Sequence, residues 1–388
     1  MEQSCFLTGR FKLTWIMILA YFTISTILQW YFTLRYELST PPKGFYHSQF
    51  KAVAKVFRQN FEMGLEREGA HLTVIQNGKV IINLWNGYSD SESLREWNRN
   101  TKTVLFSTTK AIAALCLAMQ IDRGRLSYDD LVVKYWPEYG QCGKHMTTVE
   151  DILTHKAGIP YLDNITIEDV ANENRIMKIM EQAKPLWKPG TATGRVIFYI
   201  SLARATQPGL LEYARDVLFD LRVIIMLAMM YAQPSNSLAA RIRIHPSWLP
   251  LNFDTVALND PNIVELNMAA IGGVSDAYNL AKLFSLAIDG TLLSNQTLAQ
   301  IIRPTITNWH LEQVFLYPFV KGRGFFFEKH PVNRNTYLFG HPGYGCQALN
   351  IDFDNKLVIA YVSNGLKTGS GKMCRTYQSI LRSLYQSL

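Results

Sequence analysis

The sequence predicts an α/β fold of the α+β kind, in which one antiparallel sheet is built from both ends of the chain and flanked by helices. A largely helical subdomain is inserted between the two halves, and an N-terminal transmembrane helix leads the chain. Three observations carry this. Paired β-branched runs occur at Leu72–Trp85 and again at Cys346–Asn364, helical periodicity dominates between them, and Leu13–Phe32 is an unbroken apolar stretch.

Taken in order, Leu13–Phe32 (LTWIMILAYFTISTILQWYF) holds twenty positions without a charge, preceded by Arg10 and Lys12. Twenty apolar residues in a helix cross about 30 Å of hydrocarbon, and Trp30 and Tyr31 suit the interface. A cleaved signal has a shorter apolar core of about 7–15 residues and a small-residue cleavage site, which QWYFTLRYELSTPP does not offer. The stretch is therefore expected to be an uncleaved single-pass membrane anchor at residues 13–32. A short tail (1–12) precedes it, a linker (33–48) follows, and one domain occupies 49–388. Arg35 and Lys43 beyond the stretch balance Arg10 and Lys12, so orientation is not determined. Gln49–Glu68 reads as an amphipathic helix with Val53, Val56, Phe57 and Phe61 on one face.

Leu72–Trp85 reads as a hairpin around Asn77-Gly78, the pair that best tolerates the positive φ angles of a type I′ turn. A helix running from Ser107 stops at Arg123-Gly124-Arg125-Leu126. Thr148–Leu153 is a short helix, followed by a loop over Thr154–Pro160. Leu221–Ala232 is apolar but too short to span a bilayer, and is expected to be a core helix. Strands at Cys346–Asp352 and Lys356–Asn364 turn at Asp354-Asn355, and a terminal helix covers Gly371–Leu388. There is no internal repeat.

With 48% hydrophobic and 18% charged residues over 388 positions, the composition is globular. The net charge of +8 is scattered, without a Lys/Arg run interleaved with aromatics, which favours a solvated basic surface and no nucleic-acid partner. Five cysteines, an odd number without a C-x-x-C pair, indicate neither a disulfide framework nor a zinc site. No cofactor or metal is expected, since no His-x-His-x-Asp cluster occurs among the eight histidines. Two glycosylation tripeptides begin at Asn164 and Asn295, a number close to chance. Ser294-Asn295 could equally cap a helix.

The chemistry concentrates at Ser107 and Lys110 in LFSTTKAIAALCLAM. A serine hydroxyl needs a base within hydrogen-bond reach to act as a nucleophile, and positions i and i+3 of a helix share a face. Ala111–Met119 are all apolar, so this helix is expected to be sheathed by protein on every side, which favours an uncharged lysine. A second Ser-x-x-Lys, Ser48 to Lys51, follows a Pro-Pro linker on a charged segment and is expected to be inert.

These residues head a series of motifs. LFSTTKAIAA, LTHKAGIP, WKPGTATG, MAAIGGVSDAYNLAKLF and FGHPGYGCQ occur in the order found in the serine β-lactamase and penicillin-binding-protein superfamily, and the chain resembles its class C-like branch of esterases and animal lactamase-related proteins from about Gln49 to Leu388. The resemblance implies a β-lactamase/transpeptidase-like fold and a serine hydrolase using an acyl-serine intermediate on a small-molecule or peptide-like ester, amide or peptide carbonyl. It assigns Ser107 as nucleophile and Lys110 as its base. His341 is placed beside the substrate, and Gly343 lets the backbone approach it closely. The backbone N–H groups of Ser107 and Tyr344 form the oxyanion hole. Cys346 reads as a packed strand residue. Self-association is left open.

One motif departs. Relatives place a tyrosine five residues after the glycine of Pro-Gly-Thr; here that glycine is Gly190 and the position holds Arg195. On one reading Tyr199, one helical turn on, supplies the phenol instead. Alternatively Arg195 has replaced it, leaving an impaired or inactive protein with a binding or assembly role. A third reading is that residues 195–231 are an anomalous exon or frame.

Overall fold

The computed structural model describes residues 2–191, 206–220, 222, 224–225, 228–229, 232–238, 240–241, 256, 259–266, 268–307 and 318–388. Its centre is an eight-stranded sheet in the order β1-β3-β2-β12-β11-β10-β9-β8, antiparallel at every pairing. The first three strands are β1 (Lys43–Tyr46), β2 (Ala70–Gln76) and β3 (Lys79–Asn86). The other five are β8 (Val320–Gly322), β9 (Phe325–Lys329), β10 (Tyr337–Pro342), β11 (Ala348–Asp352) and β12 (Leu357–Ser363). Strand β12, the last in sequence, lies beside β2, so the chain ends meet at the middle of the sheet as the two paired runs imply. Two small pairs stand apart from it: β4 (Tyr88–Asp90) with β5 (Arg95–Glu96), and β6 (Thr103–Val104) with β7 (Val274–Ser275).

Alternation decides the layers, because successive strand residues face opposite sides. Val358, Ala360 and Val362 of β12 pack with Ala111, Ala114 and Leu115 of α3 (Thr109–Asp122) and Leu280 and Phe284 of α9 (Ala277–Ile288). Their neighbours Leu357, Ile359 and Tyr361 pack with Phe57 and Phe61 of α2 (Lys51–Glu62) and Ile380 and Leu384 of α11 (Arg375–Ser387). The helical insertion supplies α4 (Val149–Leu153), α5 (Ile167–Ala171), α6 (Glu173–Gln182), α7 (Leu210–Phe219) and α8 (Pro261–Val264), ahead of α9 and α10 (Asn295–Ile301). Ser294 caps α10 through Thr297 N–H, as its position suggests.

The hairpin forms with Asn77 and Gly78 at φ 49° and 75°. Helix α2 is shorter than its periodicity predicts. It ends at Glu62 because Gly64 turns left-handed at φ +62°, where a Cβ would stand 2.3 Å from the Phe32 carbonyl oxygen.

Helix α1 (Glu2–Tyr36) runs past the predicted stretch, and Thr14–Tyr36 is long and apolar enough to cross a membrane. Its later turns lie on the domain. Gln29 donates to the Met63 carbonyl (2.9 Å), Tyr36 donates to Glu212 (2.6 Å) and Tyr21 to the Leu218 carbonyl (2.7 Å).

Four sequence readings need correction. Helix α3 is not sheathed all round: Ala111, Ala114, Leu115 and Ala118 are buried, but Cys116 is exposed, since a single helix face suffices to cover the sheet. The described part of Leu221–Ala232 is not a core helix, because Ile225 and Met229 face outward. Cys346 belongs to a turn ahead of β11, at φ 78°, and forms a disulfide with Cys374 across a Cα separation of 5.5 Å. That link and the extended Cys374 delay the terminal helix to Arg375.

Candidate active site

Ser107 sits in a single 3-10 turn, Phe106–Thr108, that leads directly into α3. It is buried, 4% exposed, whereas Ser48 is exposed, so the two Ser-x-x-Lys matches occupy opposite environments. The turn is held from three directions. Strand β6 pairs with β7, and Leu105 N–H donates to the Gly273 carbonyl (2.9 Å). Thr109 Oγ1 accepts from Gly273 N–H (3.0 Å). Thr108 Oγ1 donates to the His341 carbonyl on β10 (3.2 Å), joining residues 233 positions apart in the chain. Gly272-Gly273, within the motif MAAIGGVSDAYNLAKLF, is thus the loop that clamps the Ser107 turn; α9 starts later, capped by Asp276.

Phe106 carries the sharpest local conformation, φ 46° in a bulky residue. Such a residue is rarely left-handed and stays so only when its surroundings over-determine it. Here the ring is fully buried, with the Tyr344 ring 5.8 Å away at 67° and Leu366 in the same cluster. The bend turns the Ser107 oxygen toward Lys110, whose Nζ lies 3.5 Å away. Lys110 also donates to the Ala270 carbonyl (2.8 Å), which fixes the amine. A neutral amine can make that bond and still accept the Ser107 O–H. The following helix adds a positive N-terminal end beside the Ser107 oxygen.

The β10 end meets this turn closely. A Cβ on Gly343 would fall 2.6 Å from the Leu105 carbonyl oxygen and 2.8 Å from Thr108 Oγ1. Glycine is needed there to seat β10 on the Ser107 turn, a protein contact rather than open space. His341 is 1% exposed; its Nδ1–H donates to the Pro342 carbonyl (2.7 Å), and its ring edge packs on Phe326 at 4.7 Å. The Tyr344 phenol donates to Gln207 (3.1 Å), and burial pushes its pKa up to about 12.

Ser107, Lys110, Gly343 and the backbone of His341 therefore come together, with Tyr344 packed behind Phe106. Tyr199 and Arg195 lie outside the described residues. Sequence reasoning missed three parts: the φ of Phe106, the Ala270 carbonyl and the Thr109–Gly273 clamp. The Gly272-Gly273 pair is the one sequence signal that could have pointed to the clamp.

Fold and motif order define a member of the serine β-lactamase and penicillin-binding-protein superfamily. The Beta-lactamase family model matches residues 57–381, and the chain belongs to that family. It is 28% identical over 151 residues to the esterase/beta-lactamase LipL of Mycobacterium tuberculosis, covering 39% of this chain and 34% of that protein. It is 33% identical over 119 residues to protein flp of Staphylococcus aureus, covering 30% and 24%. The matches thus span about a third or less of these curated relatives. Among solved structures, a family VIII carboxylesterase superposes with a TM-score of 0.72 at 20% identity, covering 90% of this chain and all of that one. A penicillin-binding-protein homologue from Caulobacter crescentus gives 0.70 at 24% identity, with the same coverage.

Proposed function

We propose that the chain is a membrane-anchored serine hydrolase that acts through an acyl-serine intermediate on an ester, amide or peptide-like carbonyl. The observation that carries the proposal is the approach of Lys110 Nζ to Ser107 Oγ behind the left-handed Phe106. In the reaction, Ser107 Oγ bonds to the carbonyl carbon as its proton passes to Lys110 Nζ. The N–H groups of Ser107 and Tyr344 stabilise the oxyanion. The bond to the leaving group then breaks, and the proton reaches that group through the Tyr199 phenol. Water repeats the sequence on the acyl-enzyme and frees the acid. The contact at 3.5 Å is long for a working hydrogen bond, as is common before substrate binds. The family VIII esterase, the LipL relative and the penicillin-binding-protein homologue support acyl transfer as the reaction class.

A second reading, a family member that keeps the fold for binding or assembly, is favoured by Arg195 at the position of the expected phenol. Labelling with a fluorophosphonate separates the two. The hydrolase labels at Ser107 and loses the label in Ser107→Ala; a chain that never labels supports the binding role.

Anchoring at residues 13–32 is supported by the length and composition of α1 and is tested by retention in membranes after alkaline carbonate washing. The Cys346–Cys374 pair supports a domain on the oxidising side of that membrane, an orientation the flanking charges leave open. A mobility shift between reducing and non-reducing gels checks it.

A further inference from the structure

Between the end of β12 and the start of α11 the chain forms a strap, residues 364–374. It is fastened to its surroundings along its length. Leu366 N–H donates to the Thr206 carbonyl (2.9 Å), and the Leu366 carbonyl accepts from Arg67. Thr368 bonds the Asp216 carboxylate through both its N–H (3.3 Å) and its hydroxyl (3.1 Å). A segment tied in this way can hold a neighbour in a fixed place.

That neighbour is the turn after β10. Ser370 Oγ donates to the Gly343 carbonyl (3.0 Å). Leu366 packs so closely on Gly345 that a Cβ there would run into its side chain. Cys374, at the end of the strap, is joined to Cys346 by the disulfide. Gly345 and Cys346 are both left-handed, at φ 69° and 78°. Glycine adopts that conformation readily and cysteine does not, so the turn depends on the strap to keep its shape. Gly343 N–H closes the turn on the Gln347 carbonyl (2.7 Å), and the Gln347 side chain is fixed by two bonds to the Ser363 backbone, at 2.7 and 2.9 Å.

Ser370 reaches the Tyr344 N–H through the peptide plane. The Gly343 carbonyl and the Tyr344 N–H belong to one planar, trans unit and point in opposite directions. Whatever fixes the oxygen therefore fixes the line of the N–H. The Ser107 turn is seated on the same stretch, with Thr108 bonded to the His341 carbonyl at 3.2 Å. An oxyanion donor must lie about 2.7–3.1 Å from the developing charge, and a rotation of this one peptide unit would lose that distance without moving the strand. We infer that Ser370 is a positioning residue for acyl transfer: by holding the Gly343 carbonyl it aims the Tyr344 N–H at the oxyanion, while the disulfide keeps strap and turn in register. The inference rests on the reading of that N–H as an oxyanion donor. The same bond draws electron density toward the carbonyl oxygen and makes the N–H a stronger donor.

The test follows fluorophosphonate labelling of Ser107 in the full chain against probe concentration, which separates the maximal labelling rate from probe affinity. Ser370→Ala should lower the maximal rate about tenfold or more, a part of the 10²–10³-fold that loss of a whole oxyanion donor costs. Probe affinity and the unfolding midpoint should change little. Ser370→Thr keeps the hydroxyl on an extended backbone that suits a β-branched residue, and should restore the rate. A merely structural role would move the midpoint and leave the maximal rate alone. An unchanged rate in Ser370→Ala, or an equal loss in Ser370→Thr, would overturn the inference. Slow labelling of Cys346→Ala/Cys374→Ala beside an unchanged Ser370→Ala would give the aiming to the disulfide instead. A parent chain that never labels overturns the hydrolase reading and this inference with it, whereas a parent that labels at Ser107 no faster than Ser370→Ala overturns the positioning role alone.

Discussion

Two serine–lysine pairs lie in this molecule, one buried and one half-buried at the lysine, and distance alone favours the one that the proposed mechanism does not use. Ser363 and Lys367 are four residues apart with Nζ donating to Oγ at 2.9 Å, closer than the 3.5 Å between Lys110 and Ser107. What separates them is the third group. Lys367 meets the Glu66 carboxylate at 2.5 Å, and Tyr361 donates to the same carboxylate. Burial lowers the Lys367 pKa while Glu66 opposes it, and the pair holds together as a structural strut between the start of β2 and the end of β12. Lys110 donates to the Ala270 carbonyl and lies within reach of the Ser107 hydroxyl. A buried lysine beside a serine becomes a base through what else surrounds it.

The largest expected effect breaks or keeps this distinction outright. Ser107→Ala should abolish fluorophosphonate labelling, and Ser363→Ala should leave it intact. Lys110→Ala should slow acylation by about 10²–10⁴-fold with little change in stability. Lys367→Ala should do the reverse, leaving the Glu66 charge buried and costing about 3–5 kcal/mol in denaturant unfolding. Slow labelling in a fully stable Lys367→Ala, with Lys110→Ala unaffected, would exchange the two roles.

A second test sharpens the comparison from the side of the missing phenol. If Arg195 occupies the position of the family tyrosine, a cation near Lys110 favours its neutral form but cannot relay a proton. Arg195→Tyr should then raise turnover about tenfold or more, within the range of general acid–base catalysis. No gain from Arg195→Tyr, together with a loss of that order in Tyr199→Phe, would give the relay to Tyr199.

The seating of β10 offers a third, intermediate effect. A Cβ at Gly343 meets two backbone or hydroxyl oxygens of the Ser107 turn inside 3 Å. Gly343→Ala must push β10 and that turn apart, at a cost of about 1–3 kcal/mol for an overpacked contact. Labelling should fall more than stability does, because the displaced element carries Ser107. Unchanged labelling would show that the turn tolerates the shift.

The sheet was legible because its signals are local. Asn77-Gly78 announces its turn, and the apolar run Leu357–Val362 announces its strand. Ser107, Lys110 and the His341-Pro342-Gly343 string could be found because motif order survives in one dimension. The rest is set by contacts distant in sequence. The strained Phe106 depends on Tyr344 and Leu366, and Cys346 meets Cys374 only once β11 and α11 are packed. Counting cysteines could not reveal that pair, and apolar composition could not tell that α3 leaves Cys116 in the open.

The smallest effect concerns a second structural strut, Asp352, and it tests whether such struts respond to pH independently of the site. Burial raises the Asp352 pKa, but donors from Asn355, Tyr385 and His330, at 2.7, 2.8 and 3.0 Å, outweigh it and hold the carboxyl below its ordinary value of 3.8. The folded state then binds this proton less tightly than the unfolded chain. Its stabilising contribution is complete above pH 3.8 and is lost as pH falls from there through the lower folded value. Asp352→Asn removes the charge, so its unfolding midpoint should change less between pH 5 and pH 3 than that of the parent protein. The difference should be about 1 kcal/mol, the scale of one hydrogen bond. Labelling at Ser107, measured at neutral pH, should be unchanged, because Asp352 ties α11 to the far end of the sheet from the Ser107 turn. Parallel pH profiles for the two proteins would show that the acid response lies elsewhere.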